Sequence, residues 1–395
     1  LMKKTLIAIA ALAATGAFAQ STVTIDGLVD AGYVSYNLKG NGITGVDRNL
    51  TSTSQINFRV SSDLGGGMKA TWRSETDFNP TNNSGANTGT VGNVGTTAGV
   101  APASGAGTTN GTAGTFMNGE QKLALIGGFG TVAFGAISNA ALGAHVYSQP
   151  FGTAIGSGFR QTSGSFATEA VRLDNSFQYV SPAFAGGFSI GMIARKQQAV
   201  TGTNANFNAN LGAQAQAQAL DWNLNYNAGP VNATLVRATS DNSNVATVAA
   251  TANTASIPTT AGKGTYTALA GNYNMGATTV YGGYQSNKSA PYGGANTLDR
   301  ATLSVGVQYV AGVNTWMAAY QRASSALSTA TSAASLLGLG YEYALSKTTA
   351  LTARYERIGD GTGAGALTNF TGTPFAAVGA ATDRTRMGVG LRVGF

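Results

Sequence analysis

The chain is 395 residues long, yet only 10 % of it is charged, where a soluble domain carries about 25 %. Hydrophobic residues make up 43 % and mean hydropathy is +0.02, but no apolar run after residue 20 approaches the roughly 18 residues of a spanning helix, which excludes a helical membrane protein. Cysteine is absent and His145 is the sole histidine, so thiolate chemistry and cysteine-based metal sites are excluded too, and no cofactor, metal or catalysed reaction is expected.

Residues 2–14 join the basic pair Lys3 and Lys4 to an apolar core, and Ala17-Phe-Ala19 ahead of Gln20 has the form of a cleavage site. Residues 1–19 are therefore expected to be a signal peptide, the core being about half a helical span and too short for an anchor. The remaining 20–395 carries 21 Lys and Arg against 16 Asp and Glu, a net +5. That excess is spread thinly, so a nucleic-acid partner has no support.

From Thr22 onward the pattern has period two. Val23, Ile25, Val29 and Tyr33 alternate with Thr24, Asp26 and Asp30; Ile56, Phe58 and Val60 alternate with Gln55, Asn57 and Arg59; Met68, Ala70 and Trp72 alternate with Lys69, Thr71, Arg73 and Glu75. This is strand logic. Residues 80–115 are uncharged and read as a long surface loop, after which Glu120–Gly135 gives two short β-type runs meeting at a glycine-rich turn. A second hairpin spans Arg172–Pro182 and Gly187–Ala194. The connection between the hairpins, about 138–170, holds Phe151, Phe159, Arg160, Phe166 and Glu169. Loops that long inside a β protein are usually functional, and this one is expected to fold into a barrel mouth and narrow it.

The same rhythm of short turn and long loop continues. Leu220, Trp222, Leu224 and Tyr226 alternate with Asp221, Asn223 and Asn225; a loop is expected at 240–262; and paired runs flank 274–277, 311–312 and 345–347. The count is about sixteen strands, an even number within the range of outer-membrane barrels. The fold class is thus all-β, a transmembrane up-and-down antiparallel barrel, since a soluble sandwich or propeller has no need to place its long loops on one rim. In the last run, Met387, Val389, Leu391, Val393 and Phe395 oppose Arg384, Arg386, Gly388, Gly390, Arg392 and Gly394. Arginine on the lipid face near mid-bilayer costs roughly 2–4 kcal/mol, so the arginine face is the lumen and the lumen is wet.

Asp63-Leu-Gly-Gly-Gly-Met-Lys-Ala70, Gly127-Gly-Phe-Gly-Thr-Val-Ala-Phe-Gly135, Arg172-Leu-Asp-Asn-Ser176 with Tyr179 and Pro182, Leu345-Ser-Lys-Thr348 and the terminal Val389–Phe395 occur in this order over the whole length. In them the chain resembles a Gram-negative general porin of the β-proteobacterial type. The resemblance implies a homotrimer in the outer membrane, in contact with lipid and lipopolysaccharide. It also implies passive diffusion of small hydrophilic solutes and inorganic anions, and a terminal aromatic that acts in assembly. Family members set a basic wall opposite acidic residues on the inward loop.

Parity assigns Arg59, Lys69, Arg73, Lys122, Arg172, Arg195, Arg354, Arg384, Arg386 and Arg392 to the lumen, with Asp26, Asp30, Glu75, Glu120, Asp174, Glu342 and Glu356 as acidic partners. Arg59, Arg73, Lys122 and Arg172 are the wall candidates, and Arg160 and Glu169 the loop candidates. Gln55, Ala136 and Gln178 stand where the family often has arginine, and Gln149-Pro-Phe-Gly152 resembles its Pro-Glu-Phe-Gly turn. The expected anion preference is modest. A substrate-specific channel, or a surface adhesion or structural barrel, are the alternatives.

Overall fold

Alternation at period two gives each backbone segment one face for lipid and one for water, and the chain answers with strands almost throughout. The computed structural model describes residues 21–38, 41–81, 116–158, 171–196, 218–242, 262–291, 298–325, 334–359 and 384–395. The signal segment and most of the long loops expected from the sequence lie outside these residues.

The strands are β1 (Ser21–Leu38), β2 (Asn41–Arg48), β3 (Gln55–Gly65), β4 (Met68–Asp77), β5 (Gln121–Gly127), β6 (Gly130–Ser138), β7 (Arg172–Val180), β8 (Phe188–Arg195) and β9 (Gln218–Ala228). They continue with β10 (Val231–Asn242), β11 (Gly262–Met275), β12 (Thr278–Pro291), β13 (Leu298–Ala311), β14 (Asn314–Ser325), β15 (Ala334–Ala344), β16 (Thr349–Gly359) and β17 (Arg384–Gly394). A single described helix, α1 (Ala140–Tyr147), lies between β6 and β7. Chain neighbours pair antiparallel, and β17 closes on β1 from Leu28↔Gly394 to Leu38↔Arg384. β2 and β3 share one stave, because β1 pairs with β3 along Ser21–Leu28 and with β2 along Ala31–Leu38. The seventeen strands thus make a closed barrel of sixteen staves.

That broken stave departs from the alternation seen in the sequence. Between β2 and β3 the chain leaves the wall at Asn49, whose φ is +63°, and buries Leu50 completely. Strand length differs as well: β10 and β11 pair up to Asn242↔Gly262, where a loop was expected from 240. The physical reason is that the apolar half of the pattern fades where Lys263 and Asp241 replace lipid-facing residues, while backbone pairing continues past the hydrocarbon band.

Hairpin turns gather at one rim. At the β3–β4 turn Gly65, Gly66 and Gly67 all take positive φ (77°, 61° and 78°), conformations in which a Cβ is strained, and Asp63 Oδ1 accepts the Gly65 amide at 2.9 Å. Most outward side chains between the rims are apolar and exposed, Val23 being 68 % and Val389 61 % exposed. Bilayer solvates such a face where water would not. Near the short-turn rim outward aromatics pack in neighbouring pairs, Phe188 with Tyr226 at 4.7 Å and Trp316 with both Tyr309 and Tyr341 at 5.8 Å.

Candidate functional site: a charged wall and two inward segments

The described start of the 138–170 connection lies inside the barrel. Asn139 caps α1 by accepting the Leu142 amide at 2.9 Å, and Ser148 ends the helix by donating to the His145 carbonyl. Ala141 and Ala144 pack on Val236, Ala238, Tyr266, Ala268 and Ala270 of β10 and β11, so small residues on both sides seat the helix against the wall. Asp221 of β9 accepts the Ala140 amide, tying the start of the helix to the wall. Beyond the helix, Gln149 knits the turn that resembles the family motif, accepting from Phe151 N–H and donating to the Gly152 carbonyl, both at 2.6 Å. His145 is buried in this packing.

Across the inner wall the segment 148–158 lies against glycines. A Cβ on Gly283 would stand 2.5 Å from Ser148 Cβ, one on Gly306 2.6 Å from Pro150 Cδ, and one on Gly340 2.6 Å from the Phe151 ring. The 49–54 segment is seated likewise, Leu50 Cδ2 lying 2.9 Å from where a Cβ would stand on Gly32 or Gly390. Asp30 of β1 holds it by accepting from the Thr51 amide, the Thr51 hydroxyl (2.7 Å) and the Ser52 amide (2.9 Å).

The charged wall lies on β3 to β7. Arg73 bridges Glu75 (2.5 Å) and Glu120 (2.6 Å), Lys122 lies 3.7 Å from the same Glu120 oxygen, and Arg172 pairs with Glu75 and sits 3.5 Å from Asp77. Glu120 also accepts the Ser138 amide at 3.1 Å, tying the cluster to the root of the inward connection. Arg59 pairs with Asp26 at 2.5 Å. Formal charge in the Arg73 cluster balances, but exposure does not. The side chains of Arg73 and Lys122 are 26 % and 30 % exposed, those of Glu75 and Glu120 only 5 % and 4 %. The carboxylates sit behind and the cations face the lumen.

Of the residues that parity assigns to the lumen, the structure brings Arg59, Arg73, Lys122 and Arg172 into one region of wall, and sets Arg386 and Arg392 on the β15–β17 side, beside Glu356 (2.6 Å) and Glu342 (3.6 Å). Arg384 opens β17; Arg160 and Glu169 lie outside the described residues. Asp77 was missed, although two steps beyond Glu75 on the same face is a period-two signal. Strict alternation also fails on β7: it sends Leu173 outward, whereas the register shift between Gly135 and Ile137 and the positive φ of Asn175 (+52°) leave Leu173 buried with Ile137 and Ala133.

Residues 5–364 match the family model described as Gram-negative porin. The chain belongs to that family. It is accordingly a porin of the outer membrane. Outer membrane porin protein 32 of Delftia acidovorans is 49 % identical over 72 residues, a match spanning 18 % of this chain and 20 % of that protein's length. Among solved structures, the anion-selective porin from Comamonas acidovorans superposes with a TM-score of 0.68 at 23 % identity, covering 95 % of this porin and all of the other chain. OmpT of Vibrio cholerae aligns at 0.61 and 15 % identity over 95 % and 98 % of the two chains. OmpF of Salmonella typhi aligns at 0.60 and 12 % identity over 94 % and 97 %. At these identities the likeness shows the sixteen-stave fold.

Proposed function

We propose that this porin is a water-filled channel through which small hydrophilic solutes and inorganic ions diffuse passively, with a moderate preference for anions and no reaction catalysed. The observation that carries the reading is the exposure asymmetry of the Arg73 cluster: cations at 26–30 % exposure screen carboxylates at 4–5 %. A permeating ion therefore meets guanidinium and ammonium before carboxylate. A narrow lumen with low-dielectric walls focuses that potential, so no discrete binding site is needed. Arg59, with a side chain 44 % exposed, and Arg392, 34 % exposed, add to it. The constriction is formed by the described inward segment, within a barrel domain running from residue 20 to 395; the loop candidates Arg160 and Glu169 lie outside the described residues. Assembly is as a homotrimer; a trimer form is among the solved structures of V. cholerae OmpT, and that relative has the same fold.

The test is the reversal potential across a potassium chloride gradient in planar bilayers. The parent should favour chloride, the more so at about 0.1 M than at about 1 M salt, as the Debye length falls from about 10 Å to about 3 Å. Arg59→Ala, Arg73→Ala and Arg172→Ala should each reduce the preference. Potassium preference in the parent would overturn the reading.

A further inference from the structure

The two inward segments belong to different parts of the chain, yet one strand holds both. Arg354 and Glu356 are successive inward residues of β16. Arg354 Nε donates to the Leu50 carbonyl at 3.0 Å, gripping the 49–54 segment, and its guanidinium carbon lies 5.8 Å from the centre of the Phe151 ring, over the other segment. Glu356 Oε2 accepts the Gly156 amide at 2.9 Å and the Gly158 amide at 3.3 Å, so residues 156–158 of the second segment are hung on one carboxylate oxygen. The other oxygen, Oε1, is held by Arg386 Nε at 2.8 Å, and Arg354 is fixed from behind by Glu342.

The segments also touch each other. Ile155 N–H donates to the Asn49 carbonyl at 3.4 Å, and Leu50 and Ile155 share a buried apolar cluster with Val34 and Tyr36 of β1. Gln321 of β14 adds a bond to the Ser157 carbonyl at 2.6 Å. Backbone groups are gripped throughout, with the donor and acceptor assigned by charge: the arginine takes a carbonyl and the carboxylate takes amides. Such charge-assisted bonds are the strong ones. With side chains 2 % and 1 % exposed, Arg354 and Glu356 present no charge to permeating ions.

We infer that β16 is a latch strand, in which Arg354 and Glu356 are positioning residues that hold the 49–54 and 148–158 segments against the wall and so set the bore of the channel. The inference rests on the channel reading above and adds to it a second pore-shaping segment, the broken stave between β2 and β3. Bore is then a property of shape, separable from the selectivity set by the exposed cations Arg59, Arg73, Lys122 and Arg392.

The experiment compares the parent with Glu356→Leu, Glu356→Gln and Arg354→Met in the full-length porin. Two measurements are made: single-channel conductance with sugar permeability in liposomes, and amide exchange across 148–158. Leucine removes the acceptor while keeping bulk, so exchange at Gly156 and Gly158 should speed up, conductance rise and the size limit for sugars move upward. Glutamine keeps an acceptor oxygen and should retain most of the parent values. Arg354→Met releases the Leu50 carbonyl and should raise conductance and flicker by a different route, which keeps the idea testable where Glu356→Leu folds poorly. A purely structural role would lower the yield of folded barrel and leave the conductance of the channels that form unchanged, and that result overturns the inference. Unchanged amide exchange in Glu356→Leu overturns the latch itself. A parent without conductance steps overturns the channel reading, and the bore assignment with it.

Discussion

Two inward-facing charge clusters stand on different parts of the barrel, built from the same residue types. On β4 to β7, Arg73, Lys122 and Arg172 meet Glu75, Asp77 and Glu120; on β15 to β17, Arg354, Arg386 and Arg392 meet Glu342 and Glu356. In the first the cations are the exposed members. In the second, Arg354 and Glu356 are covered by the inward segments and spend their hydrogen bonds on backbone groups. What a charge does here is decided by what lies over it, and formal balance says little about either role.

The largest way to break the comparison is Glu75→Ala. It leaves Arg73 and Arg172 in a partly buried cluster without their shared partner, a loss on the order of 3–5 kcal/mol, which should lower the denaturation midpoint of detergent-solubilised protein followed by tryptophan fluorescence. The same change should strengthen anion preference, since the cations lose their screen. An unshifted midpoint would mean that the pairs contribute to field alone.

A smaller effect sharpens the contrast within the second cluster. Arg392→Gln removes a side chain that is 34 % exposed, whereas Arg386→Gln removes one that is 11 % exposed and bonded to Glu356. The first should reduce chloride preference with little change in conductance. The second should leave reversal potential in place and increase open-channel noise by loosening Glu356. Identical phenotypes would erase the distinction between field and latch.

Acidification should give the smallest effect. Burial pushes the His145 imidazole down to about 3, with a hydrogen bond to the Gly152 carbonyl working in the opposite direction. A depressed histidine favours the seated helix fully above the ordinary value of about 6.5. Below that the unseated state takes up a proton first, and the seated state loses up to about tenfold per pH unit until about 3. Amide exchange in α1 should therefore quicken as pH falls from about 6.5, and His145→Gln should remove the dependence.

The barrel was legible because its signal is local: Met387, Val389 and Leu391 against Arg386 and Arg392 can be sorted by alternation alone, as can the cations of the wall. Covering was not legible. Gly338 and Gly340 stand on the inward face of β15, and a Cβ on Gly338 would collide with the Gly156 carbonyl, but that neighbour lies far away in the chain. The inward turn at 49–54 likewise depends on Asp30 and Arg354, neither of which is near it in sequence. Inward glycine was the available clue, and it indicates that something packs there without naming what.

The seam between β1 and β17 has a consequence for the order of events in assembly. Gly27 and Phe395 exchange backbone bonds of 3.0 Å, so two strands far apart in the chain supply the ladder that closes the barrel. A contact of such extreme sequence separation is entropically slow to form. Until it does, the sheet is an open ribbon with two unpaired edges, each able to recruit a foreign strand. Sealing is therefore the step at which this molecule is most vulnerable to rival partners, and any factor that escorts it would do most by guarding those two edges rather than the apolar exterior.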